Sequence, residues 1–135
     1  MQMSYLIDTD IIIYSLKGHP LVHNNLVKNE SIPKSISVIT YGELLFGAKN
    51  SQNHEKNLAI VYRIKELFPI IDVDKAIIEV FSELKAGLRK EGSPLDDFDL
   101  LIASTALTMN ATLVTNNVKH FSRIKGLKIE NWSEN

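Results

Sequence analysis

The chain is predicted to form one α/β domain, a short and mostly parallel sheet of about four or five strands flanked by helices on both faces. Three observations carry that expectation. Short apolar runs alternate with longer stretches of helical periodicity. The short runs are continuously apolar, not alternating, which suits strands buried on both faces. Finally, 135 residues with 44% hydrophobic and 23% charged side chains are enough for one core and too few for two catalytic domains. Residues 1–135 are therefore read as a single domain, with no internal repeat and no linker-like segment.

The elements follow in order. Ser4-Tyr5-Leu6-Ile7 reads as a first strand, Asp8-Thr9-Asp10 as a cap, and Ile11 to Lys17 as a helix that Gly18 ends. A second helix follows Pro20, with Leu21, Val22, Leu26 and Val27 apolar, and runs into Pro33. Ser35 to Val38 is β-rich, and a helix is expected to begin near Leu44, Leu45 and Phe46. After the polar stretch Asn50 to Lys56, helical spacing resumes at Leu58, Ile60, Val61, Ile64 and Leu67. Ile70 to Val73 is a short strand, and Ala76 to Lys90 is an amphipathic helix stopped by Gly92-Ser93-Pro94. Asp96 to Met109 is apolar almost all round, the mark of a buried helix. Ala111 to Thr115 and Leu127 to Ile129 close the chain as strands.

Composition narrows the function. The net charge of −1 points to no polyanionic partner, although neutralising a few acids would tip the balance weakly basic. There is no apolar run of the roughly 18 to 20 residues that a membrane-spanning helix needs. The start, Met1-Gln2-Met3-Ser4, lacks the features of an export signal, so a cytoplasmic location is expected. Cysteine is absent, which excludes disulfides and thiolate metal sites.

Three carboxylates occupy matching places in this plan. Asp8 closes the first strand, Glu43 follows the second, and Asp99 lies in the first turn of the buried helix, so all three are expected at helix N-terminal ends. Each also has a structural explanation: Asp8 as an N-cap, Thr40-x-x-Glu43 as a capping box, and Asp96-x-x-Asp99 as a looser one. In an open parallel sheet, however, strand ends and following helix starts share one edge, so such residues converge where ligands bind. Crowded carboxylates repel one another unless a cation sits among them. Oxygen ligands without cysteine select a hard divalent ion, Mg²⁺ or Mn²⁺. Such ions polarise phosphoryl oxygens and acidify bound water, the chemistry of phosphodiester hydrolysis. Thr115, Asn116 and Asn117 end another strand on the same edge, where Thr115 and Asn117 are placed to bind metal-bound water or hold a carboxylate; an ordinary Asn turn explains them equally well.

Four segments, in order, resemble the motifs of PIN-domain ribonucleases, and most closely the toxins of VapBC-type toxin-antitoxin pairs. They are Leu6 to Asp10, Tyr41 to Ala48, Asp96 to Ala103, and Leu113 to Phe121, and the likeness extends to the closing Glu130-Asn131-Trp132. The resemblance implies a PIN-like fold and an Mg²⁺- or Mn²⁺-dependent endoribonuclease toxin acting on RNA such as tRNA or rRNA. It implies a cognate antitoxin that inhibits the toxin, a homodimer, and contact with operator DNA only through the antitoxin. Carried over by position, Asp8, Glu43 and Asp99 match acidic metal-binding residues. Asn117 falls where many members carry a fourth acid, while Thr115, Asn116 and Asp96 match supporting positions. The candidate catalytic residues are thus Asp8, Glu43, Asp99 and Asn117, with Lys49, Lys85, Arg89, Lys119 and Arg123 as candidate RNA-contacting bases.

Two rival readings stay open at this point. Asp8-Thr9-Asp10 also resembles the opening motif of haloacid-dehalogenase-like phosphatases, although that family places its Thr-Asn segment before its late acidic pair. A non-catalytic binding module, engaging another chain near Leu44, Leu45 and Phe46, would use the acids only as caps. His19 and His23 have the spacing of two ligands on one helix face, with no third partner nearby in sequence.

Overall fold

The computed structural model describes residues 3–135. Met1 and Gln2, part of the start from which the lack of an export signal is inferred, lie outside the described residues. The elements run β1 (Tyr5–Ile7), α1 (Thr9–Leu16), α2 (Pro20–Lys28), β2 (Lys34–Ser37), α3 (Val38–Lys49), α4 (His54–Leu67), β3 (Ile70–Ile71), α5 (Lys75–Lys90), α6 (Asp97–Met109), β4 (Thr112–Val114), α7 (Val118–Phe121) and β5 (Ile129–Glu130). The strands form a single five-stranded sheet in the order β3-β2-β1-β4-β5, and every pairing is parallel. Among the described residues, no helix is long and apolar enough to cross a membrane.

The core forms on both faces of this sheet, as the continuously apolar strands require. Tyr5 and Ile7 of β1 point into one cluster with Ile11, Val22, Leu44 and Ile64. Leu6, between them, points into the other with Leu100, Ile102, Leu113 and Phe121. Successive residues of one strand thus anchor opposite helical layers, and β1 is buried along its whole length.

The strand order fixes where a site can form. From β1 the chain winds outward through β2 and β3, then returns to the other side of β1 with β4 and continues to β5. The direction of winding reverses between β1 and β4, and ligand crevices of open α/β sheets open at the strand C-termini of such a reversal. Asp8 follows β1 directly, and Thr115 follows β4; Ile7 pairs with Val114, and the Asp8 N–H donates to Val114 O at 2.9 Å.

Three expected boundaries differ instructively. Val38 belongs to α3, not to β2, because Ser37 caps that helix by accepting from the Ile39 N–H at 3.0 Å. The expected strand at Leu127 to Ile129 begins later, at Ile129. Gly126 turns the chain at φ 83°, and the Leu127 N–H still closes that turn on Ile124 O. The third strand is confined to Ile70 and Ile71, without Asp72 or Val73.

Candidate active site

Asp8 is the N-cap of α1 and is buried, at 7% exposure. Its Oδ1 accepts from the Thr9 N–H at 2.8 Å, and its Oδ2 accepts from the Thr115 hydroxyl at 2.8 Å. Thr115 is itself fully buried and accepts from the Asn117 N–H at 3.0 Å. The carboxylate therefore has one oxygen held by its own helix and the other by the strand across the reversal point.

Glu43 arrives differently from the sequence expectation. With Ser37 as the cap, Glu43 is the sixth residue of α3, so it stands in the second turn, not at the N-terminal end, and the Thr40-x-x-Glu43 capping box does not form. The register nonetheless puts Thr40 and Glu43 on one face, three residues apart. The Thr9 hydroxyl lies 2.7 Å from Glu43 Oε1 and 3.0 Å from Thr40 Oγ1. Its single proton goes to the carboxylate, the shorter and charged contact. Asp99 sits in the first turn of α6 as expected, behind the N-cap Asp96, whose Oδ2 accepts from the Phe98 N–H at 3.1 Å.

The electrostatics tie these acids into one crevice. Burial, and then the charge of Asp10, push the Asp8 carboxyl up to about 7, against the opposing hydrogen bonds from Thr115 and Thr9. Asp99 is raised by burial and by the charges of Asp96, Glu43 and Asp10, while His120 pulls in the other direction. No lysine or arginine forms an ion pair with any of these acids; among the described residues the ion pairs are Arg63–Glu66 and Lys85–Asp97.

The resulting donor set is oxygen only and carries excess negative charge, which suits a hard divalent cation. Among the described residues no group of three or more acidic or histidine side chains is arranged to hold a metal ion. Mg²⁺ keeps several of its waters and binds through one or two carboxylates together with substrate phosphates, so one or two of these acids are what the chain would supply to it.

The supporting residues divide by role. The Asn116 N–H donates to Asp10 Oδ2 at 3.0 Å. Its side-chain oxygen accepts from the Ser133 hydroxyl at 2.8 Å and from the Asn131 amide at 3.3 Å, which pins the last turn of the chain to the site loop. Asn117 contributes its backbone N–H to Thr115 and stands as N-cap of the one-turn helix α7, without a side-chain capping bond. Thr9 and Asp10 were not singled out by sequence reasoning. The signal was available in Asp8-Thr9-Asp10, whose spacing leaves three polar side chains at the mouth of one short helix.

Other candidates fall away from this edge or change meaning. Lys49 is six residues beyond Glu43 on α3, roughly 9 Å farther along the axis. Lys85 is paired with Asp97 at 2.9 Å, and Arg123 donates to Pro94 O at 3.1 Å. His19 caps α2, its Nδ1 accepting from the Val22 N–H, so one of its two ring nitrogens is already engaged. Leu44 is buried and Leu45 packs against the core, which corrects their assignment to a docking surface, whereas Phe46 is 70% exposed. A groove of about 670 Å³ runs beside Glu43, lined by Ile13, Val38, Ile39, Phe46 and Phe98.

Thr115 offers a direct test of this construction. Thr115→Val keeps the shape but removes the proton given to Asp8 and the acceptor of the Asn117 N–H, leaving buried polar groups unpaired. A loss of about 2 kcal/mol is expected by denaturant unfolding, with Thr115→Ser restoring most of it. An unchanged midpoint in the valine variant would refute the bridging role.

Comparison with known proteins places this geometry in a family. The PIN domain model matches residues 5–127. The chain is 39% identical to "Ribonuclease VapC2" of Rickettsia felis, the alignment covering 98% of this chain and 100% of that one. It is 32% identical to the "tRNA(fMet)-specific endonuclease VapC" of Shigella flexneri, covering 97% and 99% respectively. Among solved structures, VapBC2 from Rickettsia felis bound to a DNA fragment from its promoter superimposes with a TM-score of 0.90 at 37% identity, covering 96% of this chain and 99% of that one.

Proposed function

Because the chain belongs to the PIN-domain family, among the VapC ribonucleases, we propose that it is a divalent-metal-dependent endoribonuclease and the toxin of a toxin-antitoxin pair. What supports the metal-dependent part is electrostatic: Asp8 feels the charges of Asp10 and Asp99, Asp99 feels that of Glu43, and no basic side chain is paired to any of them among the described residues. The haloacid-dehalogenase-like alternative loses its ground, since the PIN match spans residues 5–127 and includes the segment on which it rested.

Asp8 and Asp99 are the residues that would hold Mg²⁺ or Mn²⁺, with Glu43 nearby. When bound, such an ion neutralises charge on the scissile phosphate and lowers the pKa of water beside it. The protein's own contribution is orientation. Thr115 and the Thr9 N–H fix both oxygens of Asp8, and the Thr9 hydroxyl fixes Glu43. In the hydrolysis, a water oxygen bonds to phosphorus as the bond to the 3′ oxygen breaks. The water gives a proton to a carboxylate or to solvent, and the leaving oxygen takes one up. The products are a 5′ phosphate and a 3′ hydroxyl.

A tRNA substrate is supported by the named specificity of the Shigella flexneri relative. A cognate antitoxin, reaching operator DNA on behalf of the pair, is supported by the Rickettsia felis complex with promoter DNA. The apolar groove beside Glu43 suits a segment of such an inhibitor.

The test is incubation of the purified protein with total tRNA and rRNA at millimolar Mn²⁺ or Mg²⁺, followed by sequencing of the new ends. Cleavage at discrete positions that stops with EDTA and leaves 5′ phosphates is expected. Equal cleavage in EDTA would overturn the metal-dependent reading.

A further inference from the structure

We propose that the turn after β5 is a positioning element of the active site, its Asn131 and Ser133 side chains holding Asn116 and with it the loop 115–117 that orients the carboxylates. This role rests on the nuclease reading of the crevice and deepens it.

The loop after β4 engages each of its backbone donors. The Thr115 N–H donates to Glu130 O, the Asn116 N–H to Asp10 Oδ2 and the Asn117 N–H to Thr115 Oγ1, all at 3.0 Å. The same loop carries the hydroxyl that holds Asp8. Its middle residue, Asn116, is exposed, so core packing does not fix its side chain. Two donors from the turn after β5 do so instead. The Asn131 amide donates to Asn116 Oδ1 at 3.3 Å, and the Ser133 hydroxyl lies 2.8 Å from the same oxygen. That hydroxyl is also 2.6 Å from Asn131 Oδ1, which already accepts the Ser133 N–H at 2.9 Å, so its proton is left for Asn116.

These donors stand on a fixed base. Trp132, between them, is buried, meets the Tyr5 ring edge-on at 4.9 Å and gives its indole N–H to Glu130 Oε1 at 3.0 Å. The Asn25 amide of α2 donates to the Trp132 carbonyl at 3.2 Å. Tyr5 begins β1, the strand that leads into Asp8. One anchored aromatic thus ties the donor turn to the strand that presents Asp8 and, through Asn116, to the loop that grips it. Water readily replaces hydrogen bonds at a surface, so the tether adds little to global stability and acts on the geometry of the site.

The test compares the wild type with Asn131→Ala/Ser133→Ala, which removes both side-chain donors and keeps Trp132. In cleavage of total tRNA at saturating Mn²⁺, kcat is expected to fall about tenfold with KM within about twofold, since a displaced carboxylate slows the chemistry without weakening RNA binding. Asn131→Ala/Ser133→Thr, which returns the hydroxyl, recovers most of the loss. In an Asn116→Ala background the double substitution adds nothing, because the residue it acts through is gone. Independently of RNA, amide hydrogen exchange at Asn116 is expected to quicken roughly tenfold while that of Leu113 in β4 stays unchanged. Unchanged kcat overturns the proposal. A rise in KM alone, or an equal loss of activity in the Asn116→Ala background, overturns it in favour of direct RNA contact. Unchanged exchange at Asn116 overturns it too, as does faster exchange at both amides, because the turn would then support the fold at large. A wild-type protein that cleaves no RNA refutes the nuclease reading, and the exchange comparison still decides whether the turn holds the loop.

Discussion

Asp8→Asn is expected to reduce RNA cleavage by about a hundredfold or more while leaving the fold intact. The size follows from removing a charged group that acts where charge develops in the transition state, an effect of about 10²–10³ in comparable sites. The fold survives because the replacement preserves the hydrogen bonds. The asparagine oxygen still accepts from the Thr9 N–H, and its amide donates to Thr115 Oγ1, whose own proton is then free to turn toward Asp10. A buried charge is also lost, so the variant without metal should melt no lower than the wild type at pH 8. Gel assays of tRNA cleavage together with thermal unfolding check both halves. Cleavage within threefold of the wild type in a folded variant would remove Asp8 from the chemistry.

The second large effect is a pH dependence of stability that runs opposite to ordinary acid denaturation. Burial and the charge of Asp10 raise the Asp8 carboxyl from 3.8 to about 7 in the folded, metal-free protein. Asp10 and Asp99 shift in the same direction. A group whose pKa is raised by folding favours the folded state while it is protonated, fully so below its unfolded pKa, and the advantage is lost as pH rises through the folded value. Between pH 8 and pH 5.5 only the folded protein takes up this proton, which stabilises it by about 2 kcal/mol, or roughly 7 °C in melting temperature. The metal-free protein should therefore melt higher at pH 5.5 than at pH 8, and millimolar Mn²⁺ should raise the melting temperature far more at pH 8. A flat profile without metal would mean that Asp8 is ionised and satisfied by other means.

Much of this architecture was legible in the sequence because it is local. The continuous apolar runs of β1, β2 and β4 predict burial on both faces, and the alternation with helices predicts a parallel sheet. Asp8 and Asp99 were located correctly because each follows a visible strand end or helix start. Glu43 was placed one turn too early. The β-branched residues Val38, Ile39 and Thr40 extend the look of a strand, while the true signal for the helix start is the single hydroxyl of Ser37. Asp10 was passed over for a different reason. An acid in the first turn of a helix is fully explained by the helix dipole, and nothing nearby in sequence reveals that its partner is Asn116. Contacts made across the sheet leave no periodicity to read, and the groove beside Glu43 is likewise a product of packing between α1, α3 and α6.

The hydroxyl that secures Asp8 is encoded 107 positions later. At about 5–20 residues per second, a ribosome needs roughly 5 to 20 s to travel that distance. Throughout that interval the nascent chain carries its first acid without the strand that orients it. A prematurely terminated product that stops short of Thr115 is in the same condition. The cell that makes this protein thus meets a finished nuclease only when translation is nearly complete, which leaves an inhibitor present in the cell time to bind the toxin as it folds.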